Sequence, residues 1–296
     1  MISGLHLLSQ PEHRPSTFQH FPKYIHLIWV GKQVAQPPAK YSKSVQSWVK
    51  LHPTWTVVFW NNDAMHALMD THFPGYKARV YDKYPLAIEK ADIARVLVLV
   101  QYGGVYTDLD FLITQPIESA ISAHTDATLM VAKSNVTQMG FFSNCFFVST
   151  PQNPVLTELL TLFDRNINQP SQDQKEAFDS PIISRLFHHI LVIQLTGPRA
   201  LDYTIQEMTL KDASILKQVE RVDLARLTGE KEVNKLYQES SWANPGVIIE
   251  NCGLLIVILV FIVILLIVLC VVITNKYKNV QCNKKLLSCA SQVSVP

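Results

Sequence analysis

The longest apolar stretch of the chain lies near its end. Gly253 to Ile273 reads GLLIVILVFIVILLIVLCVVI, 21 residues without a charge. At about 1.5 Å rise per residue a helix of that length spans roughly 30 Å, the thickness of a bilayer's hydrocarbon core, so a transmembrane helix is predicted over 253–273. Upstream the pattern breaks into shorter units. Tyr24–Val30 (YIHLIWV) is a short apolar run ended by Gly31, which reads as a buried strand. Ser42–Lys50 has helical spacing, and Pro53 ends it. Thr56–Trp60 (TVVFW), β-branched and aromatic, predicts a second strand, and Asn61, Asn62 and Asp63 cap a helix beginning at Ala64. Leu86–Gln101 (LAIEKADIARVLVLVQ) is apolar nearly all round, the mark of a buried helix, and Tyr102-Gly103-Gly104 stops it, because glycine accepts the left-handed backbone that closes a helix. Val105–Ile113 (VYTDLDFLI) predicts a third strand, with further strands at Ala127–Ala132 and Cys145–Ser149 and a helix after Pro154. Between Pro170 and Trp242 no period stands out. Strand–helix–strand alternation predicts an α/β fold with a largely parallel sheet.

The expected organisation is a polar N-terminal segment over 1–21, one globular domain over 22–242, a linker over 243–252 containing Asn244-Pro245-Gly246, the membrane helix, and a basic tail over 274–296. The first 21 residues hold no run long enough for a signal-peptide core. Lys276, Lys278, Lys284 and Lys285 follow the helix. By the positive-inside rule they favour a cytosolic C-terminus and a lumenal domain, whereas a tail-anchor reading reverses the sides. Of the 296 residues 48% are apolar and 17% charged, a globular composition, and the net charge of +2 with no Lys/Arg cluster in the body argues against a nucleic-acid binder. Only Cys145 of five cysteines lies in the globular region, so no internal disulfide is expected there, and no spacing suggests zinc. Asn135-Val136-Thr137 is a glycosylation sequon, and His188-His189 sits in an apolar stretch that favours a structural role.

The chemistry concentrates between 89 and 111. On a strand, side chains alternate faces, so Tyr106, Asp108 and Asp110 would point one way, with the two carboxylates roughly 6–7 Å apart. Two such anions at a strand end repel unless a cation joins them. Hard oxygen ligands suit Mg²⁺ or Mn²⁺, which complete their shell with water and substrate phosphates, so the expected substrate is a diphosphate and the expected metal ligands are Asp108 and Asp110. Asp92 and Arg95, three apart on the buried helix, share a face and either pair internally or meet a polar ligand.

The stretch E89-K-A-D-I-A-R-V-L-V-L-V-Q-Y-G-G-V-Y-T-D-L-D-F111 resembles the signature of the DXD-type sugar transferases, a family that includes fungal α-1,6-mannosyltransferases and inositol phosphorylceramide mannosyltransferase catalytic subunits. The likeness extends to Y24-I-H-L-I-W29, to W60-N-N-D63, to Thr196-Gly197-Pro198 and to Ser241-Trp242, although Ala243 stands where the family usually carries a histidine. The resemblance implies a nucleotide-diphospho-sugar transferase fold (GT-A, Rossmann-like) over 22–242 and a retaining, metal-dependent glycosyltransferase. It implies that Asp110 binds Mn²⁺ (or Mg²⁺) directly while Asp108 assists and reaches the ribose. Asp92 and Arg95 would hold the sugar, with Arg95 also facing phosphate, and Asp108, Asp110 and Arg95 would be the catalytic set. Trp29 would lie near the base, Tyr106 would line the donor pocket, and Ser241 and Trp242 would make late donor contacts.

With the membrane helix behind the domain, the resemblance favours mannose from GDP-mannose moved to a membrane lipid such as inositol phosphoceramide. A Golgi or other endomembrane location and a regulatory membrane subunit go with it. The alternatives are a UDP-sugar or GDP-mannose enzyme acting on a glycan or glycoprotein, and a non-catalytic, membrane-tethered sugar-binding relative. A phosphotransferase with an aspartyl nucleophile fits poorly, because those enzymes usually carry DxD on the first strand.

Overall fold

The computed structural model describes residues 5–7, 16–122, 124–133, 142–172, 174 and 191–223. The chain divides into a unit over Met1–Ser240 and a second over Ser241–Pro296. All described residues belong to the first. The predicted membrane helix, linker and tail, Ser241, Trp242, the His188-His189 pair and the sequon lie outside the described residues. Among those described, no helix is long and apolar enough to cross a membrane.

A seven-stranded sheet forms the centre: β1 (Leu5–Leu7), β4 (Tyr24–Ile28), β5 (Thr56–Trp60), β6 (Gly104–Thr107), β7 (Leu129–Lys133), β8 (Phe142–Ser149) and β9 (Val219–Val222), in the order β1-β5-β4-β6-β8-β7-β9. A small hairpin, β2 (Thr17–Phe18) with β3 (Phe21–Pro22), precedes β4. The sheet is mixed rather than largely parallel. β8 runs antiparallel to both β6 and β7, and every other neighbour pair is parallel. Six strands therefore end on the same edge.

The helices are α1 (Ser42–Leu51), α2 (Asn62–His72), α3 (Tyr76–Arg79), α4 (Ala87–Tyr102), α5 (Glu118–Ile121), α6 (Pro154–Asn168), α7 (Pro198–Lys211) and α8 (Ile215–Gln218). They cover both faces. Residues of α2, α4, α6 and α7 pack with Tyr24, Ile28, Tyr106, Val131 and Phe147 in one core, and Val45 and Trp48 of α1 pack with Ile25, Leu27, Val105 and Phe146 in the other. The period-2 alternation of the strands is thus divided between two apolar layers. α4 lies inside the first layer, which is why its sequence lacks a polar stripe. Its end falls at the expected glycine, though not in the left-handed helical conformation: Gly103 has φ 64° and ψ −160°, a region open to glycine alone, and its N–H donates to Leu99 O at 2.8 Å. Gly104, with φ 89°, runs so close to β4 that a Cβ there would sit 2.7 Å from the Tyr24 carbonyl oxygen.

The connections reverse at β4. The chain crosses from β4 to β5 on one side through α1, then passes through α2–α4 on the other face to reach β6 on β4's far side. Open α/β sheets bind ligands at such a switch point, in the crevice outside the strands' carboxyl ends. Here that crevice lies between the ends of β4 and β6.

One strand is shorter than the sequence predicts. β6 ends at Thr107, and Asp108 to Phe111 make a turn closed by Phe111 N–H to Asp108 O at 3.2 Å. The apolar residues at 109, 111 and 113 are still buried, as pegs of a loop in the α1-side core. The reason lies on α1 and on His52 at its C-cap. Ser44 Oγ donates to Leu109 O, Trp48 Nε1 donates to Phe111 O at 2.8 Å, Ser47 Oγ accepts from Ile113 N at 3.3 Å and His52 Nε2 accepts from Ile117 N at 3.0 Å. One helix face satisfies backbone groups that a strand partner would otherwise take.

Candidate functional site

Asp108 begins the turn directly after β6, at the switch point. Its N–H donates to Cys145 O of β8 at 3.0 Å, which fixes the backbone, and 35% of its side chain meets solvent. Its Oδ1 turns inward, accepting from Tyr106 Oη at 2.5 Å and lying 3.4 Å from Arg95 Nη1. Asp110 sits half-buried two residues on in the same turn. The two carboxylates are therefore presented by a turn on one sheet edge, not by alternation along a strand.

Arg95 joins the site together from below. It is 4% exposed, and its Nη2 lies 3.0 Å from Asp92 Oδ1. Its Nε donates to Ala91 O at 3.2 Å, Nη1 donates to Asn144 O, and the guanidinium lies 4.7 Å from the Tyr106 ring centroid. A fixed fork stacked on an aromatic face and shared between two carboxylates is a rigid cation. Tyr106, 2% exposed, lies beneath the carboxylates. Burial raises its hydroxyl's pKa well above the ordinary value, so the O–H stays a donor to Asp108.

Asp92 is 3% exposed, and each of its oxygens has a protein partner. Oδ1 accepts from Asn144 Nδ2 at 2.8 Å and pairs with Arg95, and Oδ2 accepts from Thr196 Oγ1 at 2.9 Å. Burial lifts its pKa from 3.8 to about 7, opposed by Arg95 and by the Thr196 hydrogen bond. Asp108 is drawn the same way: burial raises it, Arg95 and the Tyr106 hydroxyl lower it, and the balance is upward. With a third of its side chain in solvent, water offsets part of that rise. A low-dielectric cluster of two carboxylates on one arginine, open on one side, favours any cation or hydrogen-bond donor brought to the opening.

Trp29 follows β4 at the same edge. Its N–H donates to Trp60 O at 2.9 Å, and its half-buried indole lies 5.6 Å from the Tyr41 ring at 57°. The next loop is tied to the start of α2. Gly31 N donates to Asn62 Oδ1 at 3.0 Å, Gln33 Nε2 to Asp63 Oδ2 at 2.8 Å, and Asn61 Nδ2 to Val34 O at 3.1 Å. Asn61 also caps α2 by accepting from Ala64 N at 3.0 Å. The WNND segment thus fixes the loop beside Trp29 as well as starting a helix.

The structure brings Asp92, Arg95, Tyr106 and Asp108 into direct contact and puts Asp110 and Trp29 on the same sheet edge. Ser241 and Trp242 lie outside the described residues. Two contributors carry no assigned role in the sequence reading. Thr196, in the Thr-Gly-Pro segment, hydrogen-bonds Asp92, and Asn144 bonds both Asp92 and Arg95. The only signal for Asn144 is a lone amide in an apolar strand, FFSNCFFV.

The residues also fit a divalent cation. Among the described residues no cluster of three or more His, Cys, Asp or Glu assembles. A cation at Asp108 and Asp110 would have two carboxylates at most and would complete its shell with water and phosphate oxygens, the usual arrangement for Mg²⁺.

Residues 38–129 match the family described as "Glycosyltransferase sugar-binding region containing DXD motif". The chain is 29% identical over 149 residues to inositol phosphoceramide mannosyltransferase 1 of Schizosaccharomyces pombe, covering 49% of this chain and 44% of that protein. It is 37% identical over 89 residues to inositol phosphoceramide mannosyltransferase 3 of the same organism, covering 30% and 24%. To the initiation-specific alpha-1,6-mannosyltransferase of Candida albicans it is 30% identical over 118 residues, covering 39% and 30%. The matches thus span less than half the length of these curated relatives. Among solved structures it is similar to the glycosyltransferase PaToxG, with TM-score 0.44, 17% identity and coverage of 66% of this chain and 72% of that one. A ligand-free glycosyltransferase domain from the YGT toxin is similar at TM-score 0.45, 11% identity and coverage of 70% and 81%.

Proposed function

We propose that this chain, whose residues 38–129 match the family described as "Glycosyltransferase sugar-binding region containing DXD motif", transfers mannose from GDP-mannose to inositol phosphoceramide, with retention at the anomeric carbon. The observation that carries the reading is the buried arginine shared by Asp92 and the exposed Asp108 at the switch point. Nucleoside-diphosphate chemistry is a problem of charge: the leaving group gains negative charge as the glycosidic bond breaks, and preorganised cations stabilise it.

On this reading each residue has one task. Asp108 and Asp110 hold Mn²⁺ or Mg²⁺, which when bound neutralises charge on the diphosphate. Arg95 orients Asp108 and adds fixed positive potential at the inner side of the site. Asp92 sets Arg95's position and accepts from sugar hydroxyls together with Asn144 and Thr196. Tyr106 holds the inner oxygen of Asp108, which leaves its outer edge toward the opening. Trp29 gives the base a face to stack on. The names of the fungal relatives supply the sugar and the lipid acceptor. The 253–273 segment would keep that acceptor close by tethering the enzyme to its bilayer.

The test uses full-length protein, GDP-mannose, Mn²⁺ and vesicles containing inositol phosphoceramide. Wild type should form mannosylated lipid whose anomeric configuration matches the donor by NMR. Asp108→Asn and Asp110→Asn should each lose transfer, and EDTA should silence the wild type. Near-normal turnover by either variant with saturating Mn²⁺ would refute the metal assignment. Activity confined to a soluble glycan would move the acceptor to the glycan class.

A further inference from the structure

A cavity of about 840 Å³ lies between α6, α7 and the ends of β7 and β9, and its described lining carries four cations. Among the described residues Lys133, Arg165, Arg199 and Arg221 face it, against the one carboxylate of Asp202. That carboxylate is already occupied, its Oδ1 accepting from Phe142 N at 3.2 Å. The site described above uses none of these four cations.

Their convergence follows from the sheet register. Arg221 of β9 pairs in parallel with Val131 of β7, and Lys133 lies two residues beyond on the same strand face. Val131 packs in the core layer that contains α4, α6 and α7, so Arg221 and Lys133 project into that layer at the carboxyl edge of the sheet. The facing walls are helical. α6 contributes Arg165, Gln169 follows at its C-cap, and α7 contributes Arg199, Tyr203 and Gln206 at helical spacing.

The cavity shares its inner wall with the carboxylate cluster. Gln194 and Arg199 line the cavity, and Thr196 between them donates to Asp92. At the start of β8, Phe142 is held by the cavity's Asp202, while Asn144, two residues on, bonds Asp92 and Arg95. The cavity and the carboxylate cluster are therefore built on the same two segments, 142–144 and 194–199.

The geometry points to this cavity as the acceptor subsite, taking the phosphodiester of a phosphorylated polyol on Lys133, Arg199 and Arg221, with the polyol ring against Tyr203 and its hydroxyls on Gln169 and Gln206. This deepens the glycosyltransferase reading above and rests on it for the direction of transfer. The chemistry suits the ligand. Arginine and lysine bind phosphate oxygens by charge-assisted hydrogen bonds. The half-exposed Tyr203 ring offers an apolar face, and amide side chains both donate to and accept from hydroxyls. Arg165 is partly neutralised by Glu207 at 3.6 Å and serves as a flank.

Binding is tested without donor. Full-length protein is titrated calorimetrically with glycerophosphoinositol, a soluble phosphodiester, and with myo-inositol, its uncharged counterpart. The wild type should bind the phosphodiester at least tenfold more tightly than inositol. Lys133→Gln/Arg221→Gln, both exposed positions at the sheet edge, should erase that preference while leaving inositol binding and donor hydrolysis unchanged. Arg199→Gln should act the same way. Unchanged phosphodiester affinity in both variants, or equal loss for the two ligands, overturns the subsite. A wild type that hydrolyses no GDP-mannose yet keeps an Arg221-dependent phosphodiester preference refutes the transferase reading and leaves the subsite standing. Transfer confined to inositol phosphoceramide vesicles identifies the phosphate's source as a lipid headgroup. Equal transfer to glycerophosphoinositol identifies it as a soluble phosphodiester. Either result supports the subsite.

Discussion

Asp92→Asn separates the two things Asp92 does. As an anion, 3% exposed, it is costly to keep inside the fold, and its pKa is lifted from 3.8 to about 7 by that burial. Between those two values the native protein binds a proton that the unfolded chain does not. Native stability therefore falls as pH rises from about 4 to about 7 and is flat above that. The interval corresponds to on the order of 4 kcal/mol, shared with Asp108 because both carboxylates face Arg95. Asparagine removes the titration and keeps the shape. Its oxygen can still accept from Asn144 and Arg95, and its amide can donate to Thr196 Oγ1, whose hydrogen can turn to Val192 O at 3.4 Å. The assay is chemical denaturation from pH 4 to pH 8, followed by the fluorescence of the buried Trp48, Trp55 and Trp60. Relative to wild type, the variant should gain about 4 kcal/mol across that range, while at pH 8 transfer falls at least about a hundredfold because the sugar-facing carboxylate is gone, a deficit that shrinks toward pH 5, where the wild-type group is itself protonated. Parallel stability curves would refute the buried, titrating Asp92.

Trp48→Phe should keep the fold but lose the hydrogen bond to Phe111 O, at about 1–2 kcal/mol. Loosening the turn that carries Asp108 and Asp110, it should lower kcat more than it raises KM for the donor. Gly104→Ala should destabilise by at least about 3 kcal/mol in thermal unfolding, since a Cβ at φ 89° would press on the Tyr24 carbonyl. Trp29→Ala should weaken donor binding by about 1–2 kcal/mol in a GDP-mannose titration while leaving stability nearly unchanged, because the indole is only half-buried.

Much of this protein could be read along the chain because the signals are local. β4, β5, α1 and α4 follow from short-range apolar periodicity, and the end of α4 follows from the conformational freedom of Gly103. Helical spacing alone puts Asp92 and Arg95 on one face, and the fold decides that they pair. Features that depend on what lies across space leave no local signal. The alternation through 105–113 is equally compatible with a strand and with a pegged loop, and only α1, donating through Ser44 and Trp48, decides for the loop after Thr107. The antiparallel β8 within an otherwise parallel sheet is set by strand pairing, which period-2 hydrophobicity does not encode. Asn144 and Thr196 lie 52 and 104 residues from the Asp92 they hold. The basic cavity is drawn from β7, β9, α6 and α7, whose cations are scattered among ordinary surface residues in the sequence. The sequence by itself determined the elements and the chemical type of the site, because both arise from neighbouring residues. The tertiary structure decided how Asp108 and Asp110 are presented, what braces them and where a second ligand fits, because those depend on groups that only folding makes adjacent.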